Sequence, residues 1–164
     1  MLSESAFAMR YSAFMAAMSA VTIFFSSTAY GAHGHCPAVC TCKWKSGKQS
    51  VECNDKGLIA IPEAIDSETQ LLDVSNNNLQ VLPQETFVRA QLLDLQKVYL
   101  RNCRIGQIDD RALVGLSNVV DLDLSHNLLT AVPSSTFLDV PNLRNLSLAY
   151  NPIQKIDAFT FENV

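Results

Sequence analysis

The sequence predicts an α/β-type solenoid with a parallel β-sheet on its concave face and a disulfide cap at its amino-terminal end. Three observations carry this prediction. The same spacing of apolar residues returns every 24 to 26 residues through the second half of the chain. Four cysteines stand close together before the first of these repeats. A charge-free apolar run lies near the amino terminus, and the folded part is expected to begin after it.

Composition and charge narrow the class of protein. The 164 residues are 48% hydrophobic and 17% charged, which is the balance of a packed globular chain rather than a disordered one. The formal net charge is -4, and the lysines and arginines are spread singly along the chain. They therefore form no basic patch that could bind a run of phosphates. We expect no nucleic-acid partner.

The amino-terminal segment has the features of a secretory signal peptide. Arg10 precedes the apolar run Ser12–Phe25, and the small polar stretch SSTAYGA follows. Small residues fit cleavage after Ala29 or after Gly31, and we take residues 1–29 as the signal peptide. An uncleaved signal anchor is the alternative, because a long charge-free stretch follows Arg10. Whether this segment is cleaved or stays as an anchor, we expect the rest of the chain to enter the secretory pathway and to become an extracellular or plasma-membrane ectodomain.

Four of the five cysteines fall within eighteen residues, and they are Cys36, Cys40, Cys42 and Cys53. Such density behind a signal peptide predicts disulfides, and the sequence alone permits three pairings. A zinc site with four thiolate ligands is the alternative, but the usual two-residue spacing between paired ligands is absent. A stapled segment of this kind would close the open end of a longer solenoid. We place this cap at residues 35–66.

One apolar template fits four segments of the chain. In each segment, two apolar residues two positions apart are followed three positions later by an Asn or a Cys, and then by Leu or Ile. The Asn and Cys positions are separated by 26, 24 and 24 residues, and they are Asn77, Cys103, Asn127 and Asn151. This spacing lies within the range of leucine-rich repeats. It places about four repeats in residues 67–164, the last of them truncated.

Each of the four segments is predicted to form one strand, whose side chains point alternately into and out of the solenoid. The inward pairs are Leu72 with Val74, Val98 with Leu100, Leu122 with Leu124, and Leu146 with Leu148. The Asn after each strand is expected to bond backbone groups of its own and adjacent turns, which is a structural role. Cys103 takes the same place, so we expect a buried thiol there, with an intermolecular disulfide as the alternative.

The chain from Cys36 to Val164 resembles extracellular leucine-rich-repeat proteins that begin with a cysteine-rich cap. The segments CPAVCTCKWKSGKQSVECNDKGL and YLRNCRIGQIDDRALVGLSNVVDLDLSHNLL look most like the Kekkon family of insect transmembrane proteins. The resemblance implies that the cap pairs Cys36 with Cys42 and Cys40 with Cys53. It also implies further repeats, an immunoglobulin domain and a membrane span beyond Val164. The implied role is modulation of growth-factor receptor signalling, or adhesion.

The fourth repeat is not followed by a polar end repeat. An uncapped end leaves apolar core surface in water. We therefore expect the chain to be a fragment or truncated product, anchored to a membrane only through the part beyond Val164. Taken alone, it is expected to associate through this end.

The outward strand positions form two rows across the expected sheet. The candidate partner-binding residues on this face are Asp73, Lys97, Tyr99, Arg101, Asp121 and Asp123. An exposed tyrosine flanked by opposite charges is typical of the anchor and polar surround of a protein interface. The alternative is an ordinary solvated sheet face whose charges pair with each other. On the same face, Asn145 begins an N-glycosylation sequon with Leu146 and Ser147.

Catalytic and metal-binding interpretations of the third strand are less favoured. Asp121 and Asp123, followed by Ser125 and His126, suggest an acid–base pair, a nucleophilic site or a calcium site. However, LDLSHN is the repeat consensus in this frame. We predict a protein-binding module, with an extracellular ligand or receptor as partner and with no cofactor, metal or reaction. The alternatives are a secreted matrix or innate-recognition protein of the same fold, and an enzyme or enzyme inhibitor.

Overall fold

The structure is a computed structural model that describes residues 35–45, 47–132, 135–156 and 158–161. The predicted signal peptide and both of its cleavage sites lie outside these residues. Within the described ranges, no helix has the length and hydropathy needed to cross a bilayer.

Six strands form the main sheet. They are β1 (Thr41–Lys45), β2 (Lys48–Glu52), β3 (Thr69–Asp73), β5 (Lys97–Tyr99), β7 (Asp121–Asp123) and β9 (Asn145–Ser147). In the sheet they follow one another in this order. β1 and β2 pair antiparallel within the cap, and from β2 onward every pairing is parallel. The predicted parallel sheet with one strand per repeat is confirmed.

The other side of each repeat is built from shorter elements. Four two-residue strands form two small parallel sheets, which pair β4 (Val81–Leu82) with β6 (Gln107–Ile108) and β8 (Ala131–Val132) with β10 (Lys155–Ile156). The first repeat has a short α-helix, α1 (Thr86–Arg89), and the third has a 3-10 helix over Thr136–Asp139. We call this side of the solenoid the convex side.

The core has the predicted side-chain register. The inward residues of the first three repeat strands have no exposed surface, and they are Leu72, Val74, Val98, Leu100, Leu122 and Leu124. Leu146 and Leu148, in the fourth repeat, are half-buried. Phe87 and Phe137 fill the core from the convex side, whereas Phe161 stacks on Phe137 and remains 39% exposed.

The cap continues the frame of the repeats. Its disulfides join Cys36 to Cys42 and Cys40 to Cys53, which confirms the pairing that the family resemblance implied. Cys53 is fully buried, and its backbone N–H donates to the carbonyl oxygen of Asp73 at 2.7 Å. The disulfides therefore fix a turn that is hydrogen-bonded to the first repeat.

The buried asparagines form a ladder along the solenoid. The side-chain amide nitrogen of Asn127 donates to the carbonyl oxygens of Leu100 and Leu124, at 2.8 and 2.9 Å. Its side-chain oxygen accepts the backbone N–H groups of Cys103 and Ile105, at 2.9 and 3.0 Å. These are buried backbone groups that water cannot reach, so each asparagine satisfies groups that would otherwise be unpaired.

Cys103 occupies the ladder position of the second repeat as a free, buried thiol. Its Sγ donates to the carbonyl oxygen of Val74 at 3.1 Å. Burial raises the pKa of the thiol to about 11. The neutral, protonated form can therefore donate in the ladder, as the asparagine amides do.

Candidate protein-binding face

The strand register aligns the outward side chains in two rows. The first row is Leu71, Lys97, Asp121 and Asn145, and the second row is Asp73, Tyr99, Asp123 and Ser147. All eight are at least partly exposed, while the inward residues between them in the first three repeats are fully buried. We call this surface of β3, β5, β7 and β9 the concave face.

Asp121 binds two neighbours on the concave face. The Lys97 Nζ atom lies 3.4 Å from Asp121 Oδ2, and the Tyr99 hydroxyl donates to the same oxygen at 3.3 Å. Partial burial raises the pKa of Tyr99, and the nearby Asp121 carboxylate raises it further, against a smaller lowering by Lys97. Tyr99 is therefore a protonated donor, and its hydroxyl is tied to the sheet surface.

Asp73 and Asp123 make the same contact in their two repeats. Asp73 Oδ1 accepts the backbone N–H of Ser75 at 2.9 Å, and Asp123 Oδ1 accepts that of Ser125 at 2.8 Å. Each carboxylate is thus fixed through one oxygen. Within the described residues, neither takes part in an ion pair, although Lys97 pairs with Asp121 in the adjacent row.

Arg101 is exposed and lies beyond the end of β5. Its guanidinium nitrogen is 3.3 Å from the Nε2 atom of His126, and the His126 ring stacks on Tyr150 with centroids 4.2 Å apart. Tyr150 is 78% exposed. From the sequence, Arg101 was expected to be one of the charges that flank Tyr99. In the structure its guanidinium contacts the aromatic pair of His126 and Tyr150 through His126.

This aromatic pair belongs to a row of residues that sequence reasoning missed. The position just before each ladder residue has a left-handed backbone, and we include Asp55 of the cap in the same row, which comprises Asp55, Asn76, Asn102, His126 and Tyr150, with φ between 53° and 60°. We call it the rim row. Amide hydrogen bonds link Asn76 to Asp55 and Asn102 to Asn76, at 3.3 and 3.0 Å. Asn, Asp and His are enriched in this backbone conformation, so those positions carried a signal that Tyr150 did not.

Asn145, the first residue of the predicted sequon, is exposed and lies at the start of β9. It is the register partner of Asp121. A modification of its side chain would therefore stand on the concave face.

The residues considered for catalysis make other contacts in the structure. Ser125 is 5% exposed, and its backbone N–H is bonded to Asp123. His126 contacts Arg101 and Tyr150. In the part of the chain that the structure describes, no three His, Cys, Asp or Glu side chains are grouped to hold a metal ion.

These features define the class of protein. Residues 94–153 match the family described as Leucine rich repeat. The stacked parallel strands, the asparagine ladder and this match identify the chain as a leucine-rich-repeat protein.

Two relatives to which the chain is similar are much longer than the chain. The chain is 32% identical over 130 residues to the human leucine-rich repeats and immunoglobulin-like domains protein 1, covering 79% of this chain and 11% of that protein. It is 42% identical over 59 residues to the leucine-rich repeat-containing G-protein coupled receptor 4 of Bos taurus, covering 36% of this chain and 6% of the receptor. The chain thus spans a small part of either relative.

A solved structure, that of the TLR13–ssRNA13 complex, has a chain with a similar fold. The TM-score is 0.69 at 29% sequence identity, covering 80% of this chain and 18% of that one.

Proposed function

We propose that the chain is an extracellular protein-binding module of a cell-surface leucine-rich-repeat protein, and that the concave face binds the partner. The observation that carries this proposal is the two rows of partly exposed polar and aromatic side chains held on a rigid sheet. Leucines with no exposed surface fix the strands from behind. Rigid presentation lowers the ordering cost of binding.

The charge of the concave face favours a protein over a nucleic acid. The two rows contain three aspartates and one lysine, so they would repel a phosphate backbone, which is bound through lysine and arginine. The RNA in the TLR13 complex is a ligand of that protein. A protein partner can instead offer basic side chains that complement these carboxylates.

The relatives support a place at the cell surface. One is named as a receptor and another as a protein with immunoglobulin-like domains. We propose that residues 1–29 are a signal peptide, that 35–66 form the cap and that 67–164 are repeats of such a protein. A Kekkon-like role in growth-factor receptor signalling or in adhesion fits this organisation.

The test begins with a binder identified from a panel of purified extracellular domains, screened against the secreted chain. The affinity of that binder is then measured for the Tyr99→Ala/Arg101→Ala double variant. Because tyrosine and arginine are enriched among interface anchors, we expect the double variant to weaken binding at least about tenfold, or about 1.4 kcal/mol.

Leu138→Ala is the control. Leu138 is 55% exposed and lies in the 3-10 helix of the convex side, so its loss should leave the affinity unchanged. Equal affinities for the double variant and the unmodified chain would contradict binding through the concave face.

A further inference from the structure

The second row of the concave face places an aromatic ring between two carboxylates. Resting on the proposed function, we infer that Asp73, Tyr99 and Asp123 form an arginine-binding site. A partner's guanidinium would lie against the Tyr99 ring and donate to the two aspartates. The partner is thus a protein that presents an arginine to this row.

The strand register sets the geometry of the site. Asp73, Tyr99 and Asp123 are direct partners on three adjacent parallel strands. Strands in a sheet lie about 4.8 Å apart, and partners in register point to the same face. Asp73 and Asp123 therefore lie on the two strands that flank Tyr99, one strand spacing from it on either side.

Both carboxylates are oriented and available. One oxygen of each is held by a backbone N–H, from Ser75 and from Ser125. The second oxygen of each has no cation bonded to it among the residues that the structure describes. A charged donor would complete two charge-assisted hydrogen bonds with groups whose orientation is already fixed.

The ring between them is also held in place. The Tyr99 hydroxyl donates a hydrogen bond to Asp121, and Asp121 also pairs with Lys97. Lys97, the cation on the same strand as Tyr99, is therefore already paired. Arg101, the next cation along the chain, contacts His126. An aromatic face attracts a cation, most often arginine.

The shape of the site favours arginine over lysine. A guanidinium is flat, stacks on an aromatic ring and carries N–H groups along several edges, so one group can bond carboxylates on two sides. An ammonium is a compact point charge. It can approach one of these aspartates closely but cannot span both across the ring.

The experiment uses the secreted full chain labelled with ¹⁵N and titrated with N-acetyl-arginine amide. The backbone amides of Ser75 and Ser125 report directly on the site, because they donate to the two aspartates. We expect both signals to shift in a saturable manner. N-acetyl-lysine amide should bind about tenfold more weakly, and N-acetyl-citrulline amide, which lacks the charge, should cause no shift.

Variants then test the assignment of the residues. Asp73→Asn and Asp123→Asn retain an oxygen that can accept the serine N–H, so the local fold and both reporters are kept. Each should weaken the arginine probe about tenfold or more, a loss of about 1.4 kcal/mol. Asp94→Asn is the matched control, since Asp94 is exposed and lies in neither row, and it should leave binding unchanged.

The inference is overturned if the arginine probe leaves Ser75 and Ser125 unshifted, if citrulline shifts them equally, or if both asparagine variants bind normally. The proposed function can fail separately. If the extracellular binder is lost on Tyr99→Ala/Arg101→Ala while the arginine probe does not bind, the concave face is the interface and arginine is not its anchor.

Discussion

At the scale of single residues, the solenoid depends on one buried polar side chain per turn. Asn77 and Asn127 each accept two backbone N–H groups with the side-chain oxygen and donate to carbonyls of two successive turns. The partners of Asn127 are buried inside the stack, so water cannot replace them. The ladder therefore links each turn to the one before it.

Replacement of Asn127 by alanine should be strongly destabilising. The buried N–H groups of Cys103 and Ile105 would lose their acceptor. Leaving a buried donor unpaired costs about 1–3 kcal/mol, so we expect the loss of the acceptor for two donors to lower the free energy of unfolding by about 2–6 kcal/mol. Urea unfolding followed by circular dichroism measures it.

The exposed Asn118 provides the comparison for this variant. Its amide makes a single bond of 3.4 Å to the carbonyl of Leu93. Asn118→Ala should change the free energy of unfolding by no more than about 0.5 kcal/mol. Similar losses for the two variants would show that the ladder contributes little.

At the scale of elements, the repeats share their strands but differ on the convex side. From Phe87 to the next buried apolar residue, Leu92, there are five positions, against three in each of the following two repeats. The longer connection forms α1 and a bulkier convex surface. The second repeat accommodates it at Gly115, whose φ of 92° is one that other residues rarely adopt.

Gly115→Ala should therefore destabilise the fold. An added Cβ would come within 2.7 Å of Leu93 Cδ2 and 2.9 Å of Val88 Cγ2. The overpacking and the left-handed backbone together should cost about 1–3 kcal/mol. Thermal unfolding monitored by calorimetry checks this expectation.

Gly106→Ala is the matched substitution. A Cβ at Gly106 would meet nothing closer than the Leu128 carbonyl oxygen at 3.9 Å. The change should be neutral or stabilise the protein by up to about 1 kcal/mol. If Gly115→Ala proved as harmless, the close packing of the first two repeats on the convex side would be wrong.

At the scale of the whole described solenoid, one sheet connects the cap to the last repeat. Glu52 in the cap is the register partner of Asp73, and the rows then run without a break to Asn145 and Ser147. The concave face is therefore one continuous surface. A group attached at Asn145 would cover its β9 end and leave Asp73 and Tyr99, which lie on strands farther from it, open.

We expect Asn145 to carry an N-linked glycan in chain expressed through the secretory pathway, because its side chain is exposed and begins a sequon. Mass spectrometry should show a mass that falls on treatment with an amidase specific for N-glycans. The Asn145→Gln variant should lack this mass. Secreted protein with an unmodified Asn145 would contradict the prediction, and the whole concave face would then be open.

Much of the fold could be read from the order of residues. Leu122 and Leu124 are buried, and Asp121 and Asp123 are partly exposed, as the alternation along a strand predicts. The same argument predicted the ladder asparagines. The disulfide pairing was different, since counting cysteines left three pairings open and only the family resemblance selected one.

The candidate site was predictable only in part. The two outward rows followed from the repeat register, so the identities of their members were available. The contact of Arg101 with His126, and the stacking of His126 on Tyr150, join residues that are 25 and 24 positions apart. The repeat length brings such residues into adjacent turns, but it does not say which rotamer each side chain adopts.

The sequence by itself determined the repeat length, the inward and outward faces, and the side chains that each strand presents. It did so because burial of apolar surface acts on every turn with the same period. Among the residues that the structure describes, the tertiary structure decided which charges form ion pairs, as Lys97 does with Asp121, and which do not, as with Asp73 and Asp123. That choice depends on distances of a few ångströms between side chains of adjacent turns, which are set by packing.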